Sequence, residues 1–167
     1  RRSGARERPP VKAYRVFLDA AIYIAGAGSA QGGSRQVLDW CAERILHAVT
    51  SSQVLDEARR NVAKKLPRAA PVLERIIAAV GAELAPTPTE EESREAARVL
   101  FAKDAPILAA ARKAGVDVLL TLDRRHFKQP AVVAGVPFLI LLPEEFVPRI
   151  RAELAGEDEG EKSRPSS

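Results

Sequence analysis

Two stretches of this chain run a buried-strand pattern straight into a carboxylate. They are Val16-Phe17-Leu18-Asp19 and Val118-Leu119-Leu120-Thr121-Leu122-Asp123. A continuous apolar run bounded by turn residues is the pattern of a strand covered on both faces, which is the situation of strands in a parallel sheet. In open parallel sheets, ligands bind beyond the carboxyl ends of the strands, where the strand order reverses. An aspartate at two such ends suggests an acidic pocket, and an acidic pocket suggests a divalent cation.

The 167 residues fit a single domain, which at this size buries roughly 68–70% of its unfolded surface. With 46% hydrophobic and 29% charged residues the composition is that of an ordinary globular protein. The apolar run from Val136 to Leu142 is interrupted by Pro137 and is too short to span a bilayer, so no membrane association is expected. The lone cysteine, Cys41, excludes an intrachain disulfide. With no signal-peptide pattern in the first residues, it points to a reducing, cytoplasmic setting. The chain has no methionine, so residue 1 is not expected to be the natural start of translation.

The formal net charge of +4 is unevenly spread. Six basic residues and one acidic residue fall within 1–16, and two basic and five acidic within 152–167. The expected division is a disordered basic leader over 1–13, a folded domain over 14–151 and a disordered acidic and polar tail over 152–167. Total charge is therefore no argument for nucleic-acid binding.

Between the tails, strand and helix patterns alternate. Strands are expected at 14–18, 48–50, 83–84, 118–122 and 138–142. The intervening helices are expected at 20–25, from an N-cap at Ser34 to about His47, from a Thr50-x-x-Gln53 capping box to Lys65, at 71–80, after Thr89-Glu90-Glu91-Glu92, and at 104–114 ending at Gly115. Residues 26–33 read as a flexible loop or lid, a short turn follows the strand at 118, and Pro143 opens the last helix. Short connections between alternating elements imply a parallel sheet in a three-layer α/β/α sandwich.

Four carboxylates stand out by position. Asp19 and Asp123 end strands, Glu57 lies one or two turns into a helix, and Asp104 opens another. Each also has a structural reading. Asp104 before Ala105-Pro106 is a suitable N-cap, Asp19 and Asp123 can cap the helices that follow them, and Glu57 beside Asp56 can be a solvated charge.

Four segments in order carry a family resemblance: Val16 to Ile22, Ser52 to Arg60, Asp104 to Ala111 and Leu119 to Phe127. They resemble the PIN-domain nucleases, the fold of the VapC-like ribonuclease toxins, over residues 14–150. The closing Leu142-Pro143-Glu144-Glu145-Phe146 resembles the end of such domains. The resemblance implies a five-stranded parallel sheet of order 3-2-1-4-5, with Asp19, Glu57, Asp104 and Asp123 gathered between strands 1 and 4 as catalytic and metal-binding acids. It also implies Thr121 as a supporting hydroxyl, one or two Mg²⁺ or Mn²⁺ ions, single-stranded or structured RNA as substrate, and products bearing a 5′-phosphate and a 3′-hydroxyl. An antitoxin protein and a homodimer are further family expectations. Ala21 departs from the pattern, since the family places a small polar residue there. Loss of such support around a metal site lowers affinity or activity by about 10–100-fold elsewhere.

The chemistry accords with the residues. Four carboxylates repel a phosphodiester, whereas a hard cation among them reverses that sign, and Mg²⁺ and Mn²⁺ favour oxygen ligands. Attack by a 2′-hydroxyl would need two well-placed imidazoles, and the chain has only His47 and His126. Arg60, Lys64, Arg124, Arg125 and Lys128 are candidates for holding the RNA backbone, or else form a solvated basic face. Trp40 and Phe127 read as core rather than as base-stacking platforms. The Gly26-x-Gly28 segment lacks the lysine of a phosphate-binding loop. A phosphatase working through an aspartyl-phosphate would want Asp-x-Asp after the first strand, where Asp19-Ala20-Ala21 stands. A catalytically weak or inactive PIN-like scaffold that binds RNA or protein remains the alternative to a nuclease.

Overall fold

The computed structural model describes residues 14–100 and 104–162, with side chains described as far as residue 156. Five strands among these residues form one parallel sheet of order β3-β2-β1-β4-β5. They are β1 (Arg15–Leu18), β2 (His47–Thr50), β3 (Glu83–Leu84), β4 (Val118–Leu120) and β5 (Leu139–Leu141). Val16, Phe17 and Leu18 of β1 pair in register with Val118, Leu119 and Leu120 of β4, and all six are buried. Both apolar runs are thus central strands covered on both faces. Strand order reverses between β1 and β4, which places a crevice beyond their carboxyl ends.

The helices are α1 (Ala20–Gly28), α2 (Gly33–Ala42), α3 (Ser52–Lys65), α4 (Ala70–Val80), α5 (Glu90–Ala96), α6 (Ala105–Lys113), α7 (Arg124–Phe127), α8 (Pro130–Ala134) and α9 (Pro143–Lys162). The first four pack on one another, and α5 packs separately against α6. Right-handed crossovers on either side of the reversal send these two groups to opposite faces of the sheet. The result is the α/β/α sandwich of the expected strand order. Trp40 and Phe127 are buried in its core, as expected. No helix of the described residues is long and apolar enough to cross a membrane.

Several boundaries differ from expectation, each for a local reason. The supposed loop over 26–33 is helical as far as Gly28. Gly26 is buried there against α2, so close that a Cβ at that position would overlap the Leu38 side chain. Ser34 is not an N-cap; α2 begins at Gly33 behind Gly32, whose φ of 109° suits glycine. That helix stops at Ala42, and His47 begins β2 by donating its N–H to Tyr14 O at 3.0 Å. Thr50 does not open α3, because its hydroxyl donates to Leu18 O at 3.0 Å across the sheet. Ser51 caps instead, accepting from Val54 N–H at 3.2 Å. The short turn expected after β4 contains α7 and α8. The capping box at Thr89 and Glu92 is present in full.

Of the two expected tails, residues 1–13 lie outside the described residues. The backbone of 152–162 continues α9, while 163–167 are again outside the described residues.

Candidate active site

Asp19 follows β1 directly and serves as N-cap of α1, its Oδ1 accepting from Ala20 N–H at 2.8 Å. The other oxygen, Oδ2, accepts from the Thr121 hydroxyl at 2.9 Å. Asp19 is 8% exposed and Thr121 fully buried. Burial pushes the Asp19 carboxyl up to about 6, against the opposing effect of these two hydrogen bonds. The negative charges of Glu57 and Asp104 push it up further. Glu57 comes from α3 and Asp104 precedes α6, so three acids from three separate elements share one electrostatic neighbourhood.

Asp123 comes from the other side of the crevice. Its backbone N–H donates to Thr121 Oγ1 at 3.0 Å, so one hydroxyl links both strand-end aspartates. Its side chain caps α7 by accepting from His126 N–H at 2.9 Å, and its Oδ2 lies 2.7 Å from His126 Nδ1. Burial pushes the Asp123 carboxyl up, but these contacts outweigh it and hold the group below its ordinary value. The two strand-end aspartates are thereby driven in opposite directions.

Asp104 makes no side-chain capping bond, although it stands at the N-cap position of α6. Its carboxylate instead groups with Asp123 and His126, with one ligand atom from each lying within 4.8 Å of the others. Asp19 and Glu57 fall outside this tightest set and are tied to it by charge. A donor set of carboxylate oxygens, with one imidazole at the edge, fits Mg²⁺ or Mn²⁺. His126 was weighed in the sequence only as half of a histidine pair. The signal that could have found it is the Asp123-x-x-His126 spacing, which places both side chains on one face of a helical turn.

The basic candidates divide by what they touch. Arg124 pairs with Glu144. Lys128 donates to Ile140 O at 3.0 Å and pairs with Glu145 at 3.2 Å, tying α7 to β5 and α9. The side chains of Arg60, Lys64 and Arg125 are exposed and make no hydrogen bond or ion pair among the described residues. Ala21 is half-buried and brings no polar atom toward Asp19.

A family model described as PIN domain matches residues 15–125, and the chain belongs to the PIN-domain family. No curated protein matches the sequence. Among solved structures the chain is similar to PAE2754 from Pyrobaculum aerophilum, with 20% identity and a TM-score of 0.58, covering 84% of this chain and 97% of that one. It is also similar to VapBC2 from Rickettsia felis, solved bound to a DNA fragment from its promoter, with 15% identity, a TM-score of 0.54 and coverage of 77% and 98%. A third is VapC20 from Mycobacterium tuberculosis, a Sarcin-Ricin loop cleaving toxin, with 18% identity, a TM-score of 0.50 and coverage of 72% and 95%. At these identities the likeness is one of fold.

Proposed function

We propose that this PIN-domain protein is a metal-dependent endoribonuclease that hydrolyses phosphodiester bonds of single-stranded RNA. Asp19, Glu57, Asp104 and Asp123 would hold one or two Mg²⁺ or Mn²⁺ ions. The observation that carries the reading is the convergence of acids. Asp19 is pushed up to about 6 in a neighbourhood shared with Glu57 and Asp104, and Asp104 lies within 4.8 Å reach of Asp123. Clustered like charges of this kind weaken a fold, and groups perturbed in this way concentrate at functional sites.

A divalent cation held there would supply positive charge toward the phosphodiester and ease deprotonation of the attacking water. The chain's own residues do the rest. Thr121 fixes the rotamer of Asp19 through its hydroxyl and holds the backbone of Asp123 beside it. His126 steadies Asp123 and keeps it anionic. Arg60, Lys64 and Arg125 stand ready to hold the anionic backbone of the substrate. The toxin-like folds it resembles support the role of toxin in a toxin–antitoxin pair, with an antitoxin protein and a second copy of the chain as partners. The VapC20 likeness adds structured RNA to the substrate class. A stand-alone RNA-processing enzyme of the cytoplasm has the same site requirements. One observation favours a second reading, a scaffold that binds RNA or protein without cleaving it: Ala21 stands where the family places a polar residue.

Asp104→Asn decides between them. Because Asp104 makes no capping bond, the variant should melt like the wild type in chelator. Mn²⁺-dependent cleavage of single-stranded RNA should fall by about two orders of magnitude. Equal cleavage by both proteins, or none by the wild type on any RNA tested, rejects the nuclease in favour of the scaffold.

A further inference from the structure

A cleft of about 320 Å³ is walled by α3, the residues following β3 and the start of α6; α3 and α6 also carry or adjoin two of the acids. That volume is near the lower end of the roughly 300–1,000 Å³ usual for ligand pockets, which suits one nucleotide rather than a duplex. Gln53, Asp56 and Arg60 of α3 line it and, at spacings i, i+3 and i+7, share one helix face. Pro86, Pro88 and Pro106 form the apolar part of the wall. The polar side chains of Gln53, Asp56 and Arg60 are exposed and make no hydrogen bond or ion pair among the described residues.

We propose that this cleft is a base-reading subsite that selects a guanine nucleotide of the RNA next to the scissile phosphate; the proposal deepens the nuclease reading and rests on it. The argument turns on Asp56. Asp56 acts by charge on the neighbouring Arg59, yet both of its oxygens are left to accept hydrogen bonds. An anionic side chain in a cleft that serves a polyanion repels phosphate and accepts from donors; in RNA the ribose 2′-hydroxyl offers one donor, and only the bases offer two side by side. Guanine presents two adjacent donors, N1–H and N2–H, to the two oxygens of a carboxylate, and an acceptor, O6, further along the same edge. The Gln53 amide, one turn from Asp56, can donate to that acceptor. Uracil offers a single donor between acceptors, and adenine and cytosine each place a ring acceptor where guanine has N1–H or its neighbour. The proline walls give flat apolar faces for the ring, and Arg60, one turn beyond Asp56, meets the phosphate. Glu57 directly follows Asp56, and Asp104 lies two residues before Pro106. The same two elements that carry these acids therefore shape the cleft. Reading an unpaired base by its Watson–Crick edge is how proteins recognise single-stranded RNA.

The test uses the four nucleoside 5′-monophosphates, titrated separately into the full chain in chelator and followed by NMR. Guanosine monophosphate should bind about tenfold more tightly than the other three, the discrimination expected of one bidentate pair. Asp56→Asn should erase that preference, while Arg60→Ala should weaken all four nucleotides alike, as a phosphate contact does. Equal binding of the four by wild type, or a preference that survives Asp56→Asn, overturns the subsite. Mn²⁺-dependent cleavage of short RNAs with one guanine in an adenine tract separates this idea from the nuclease reading. Cleavage without guanine-selective binding removes the subsite and leaves the nuclease. Guanine-selective binding without cleavage keeps the cleft's specificity and removes the nuclease.

Discussion

The Thr121 hydroxyl donates to Asp19 Oδ2 at 2.9 Å while accepting from the Asp123 backbone N–H at 3.0 Å. A single buried side chain thus sets the relative positions of two acids that are far apart in sequence. Replacing it with valine keeps the shape and removes both bonds, leaving a buried carboxylate oxygen without its donor. Such a loss costs about 1–3 kcal/mol. Thr121→Val should lower the melting temperature in chelator and reduce the further rise on adding Mn²⁺. Thr121→Ser should restore both. A valine variant with wild-type melting and metal response would show that the hydroxyl is dispensable.

Asp19 gives the protein an unusual pH dependence. Burial pushes its carboxyl in the folded protein up to about 6, from the 3.8 of an unperturbed aspartate. The folded state therefore binds this proton more tightly than the unfolded chain does, and stability falls as pH rises through that window. The carboxyls of Glu74, Glu83, Glu92, Asp123 and Glu145 are shifted down, so their contributions are lost only at more acidic pH. In chelator, melting temperature should rise on going from pH 7 to pH 5. Asp19→Asn should flatten this slope and stabilise the metal-free protein at pH 7 by up to about 3 kcal/mol. Melting temperatures for both proteins across that range test it, and an unchanged slope in the variant would assign the titration to another group.

Metal should act in the opposite sense. If the acids hold Mn²⁺ or Mg²⁺, binding to the native state should raise the melting temperature by mass action, with about 2.7 kcal/mol of stabilisation at a hundredfold excess over Kd. That rise should shrink toward pH 5 as Asp19 takes up its proton. Combining Asp19→Asn with Asp123→Asn should abolish it at every pH. A metal response that persists in the double variant would locate the ion elsewhere.

Ala21 offers a gain-of-function test. It is half-buried, one residue into α1 from the capped Ala20, so a serine hydroxyl fits without burying an unsatisfied group. Ala21→Ser should tighten Mn²⁺ binding by up to about tenfold, the smaller end of the effect that such supporting residues have elsewhere. Calorimetric titration checks it. No change would mean that Thr121 already suffices to orient Asp19.

The sheet was legible in the sequence because its central strands are written as short, unbroken apolar runs bounded by turn residues, the pattern of a doubly covered strand. Helix ends were less so, because competing hydrogen bonds decided them. Thr50 looks like a cap from sequence, but the neighbouring strand claims its hydroxyl, and only the three-dimensional pairing reveals that. Gly26 looks like loop punctuation until Leu38 packs against it. At the site, position marked Asp19 and Asp123, whereas Asp104 was ambiguous between capping and chemistry. Its lack of a capping bond is a tertiary fact. His126 went unassigned to the site because the Asp123-x-x-His126 spacing signals a contact only where the residues after β4 are helical, and a plain turn was expected there. Its 2.7 Å contact with Asp123 depends on the short helix α7.

The burial of Asp19 has a consequence for anyone evolving this protein. A screen that rewards heat resistance alone, run without divalent ions, would favour neutral residues at position 19, because removing a desolvated charge is among the readiest gains available. The variants it enriched would fold better and have lost an acid of the proposed metal site. Selection for ruggedness and selection for activity therefore pull this one position in opposite directions, and libraries meant to keep the chemistry should hold position 19 fixed or be screened with metal present.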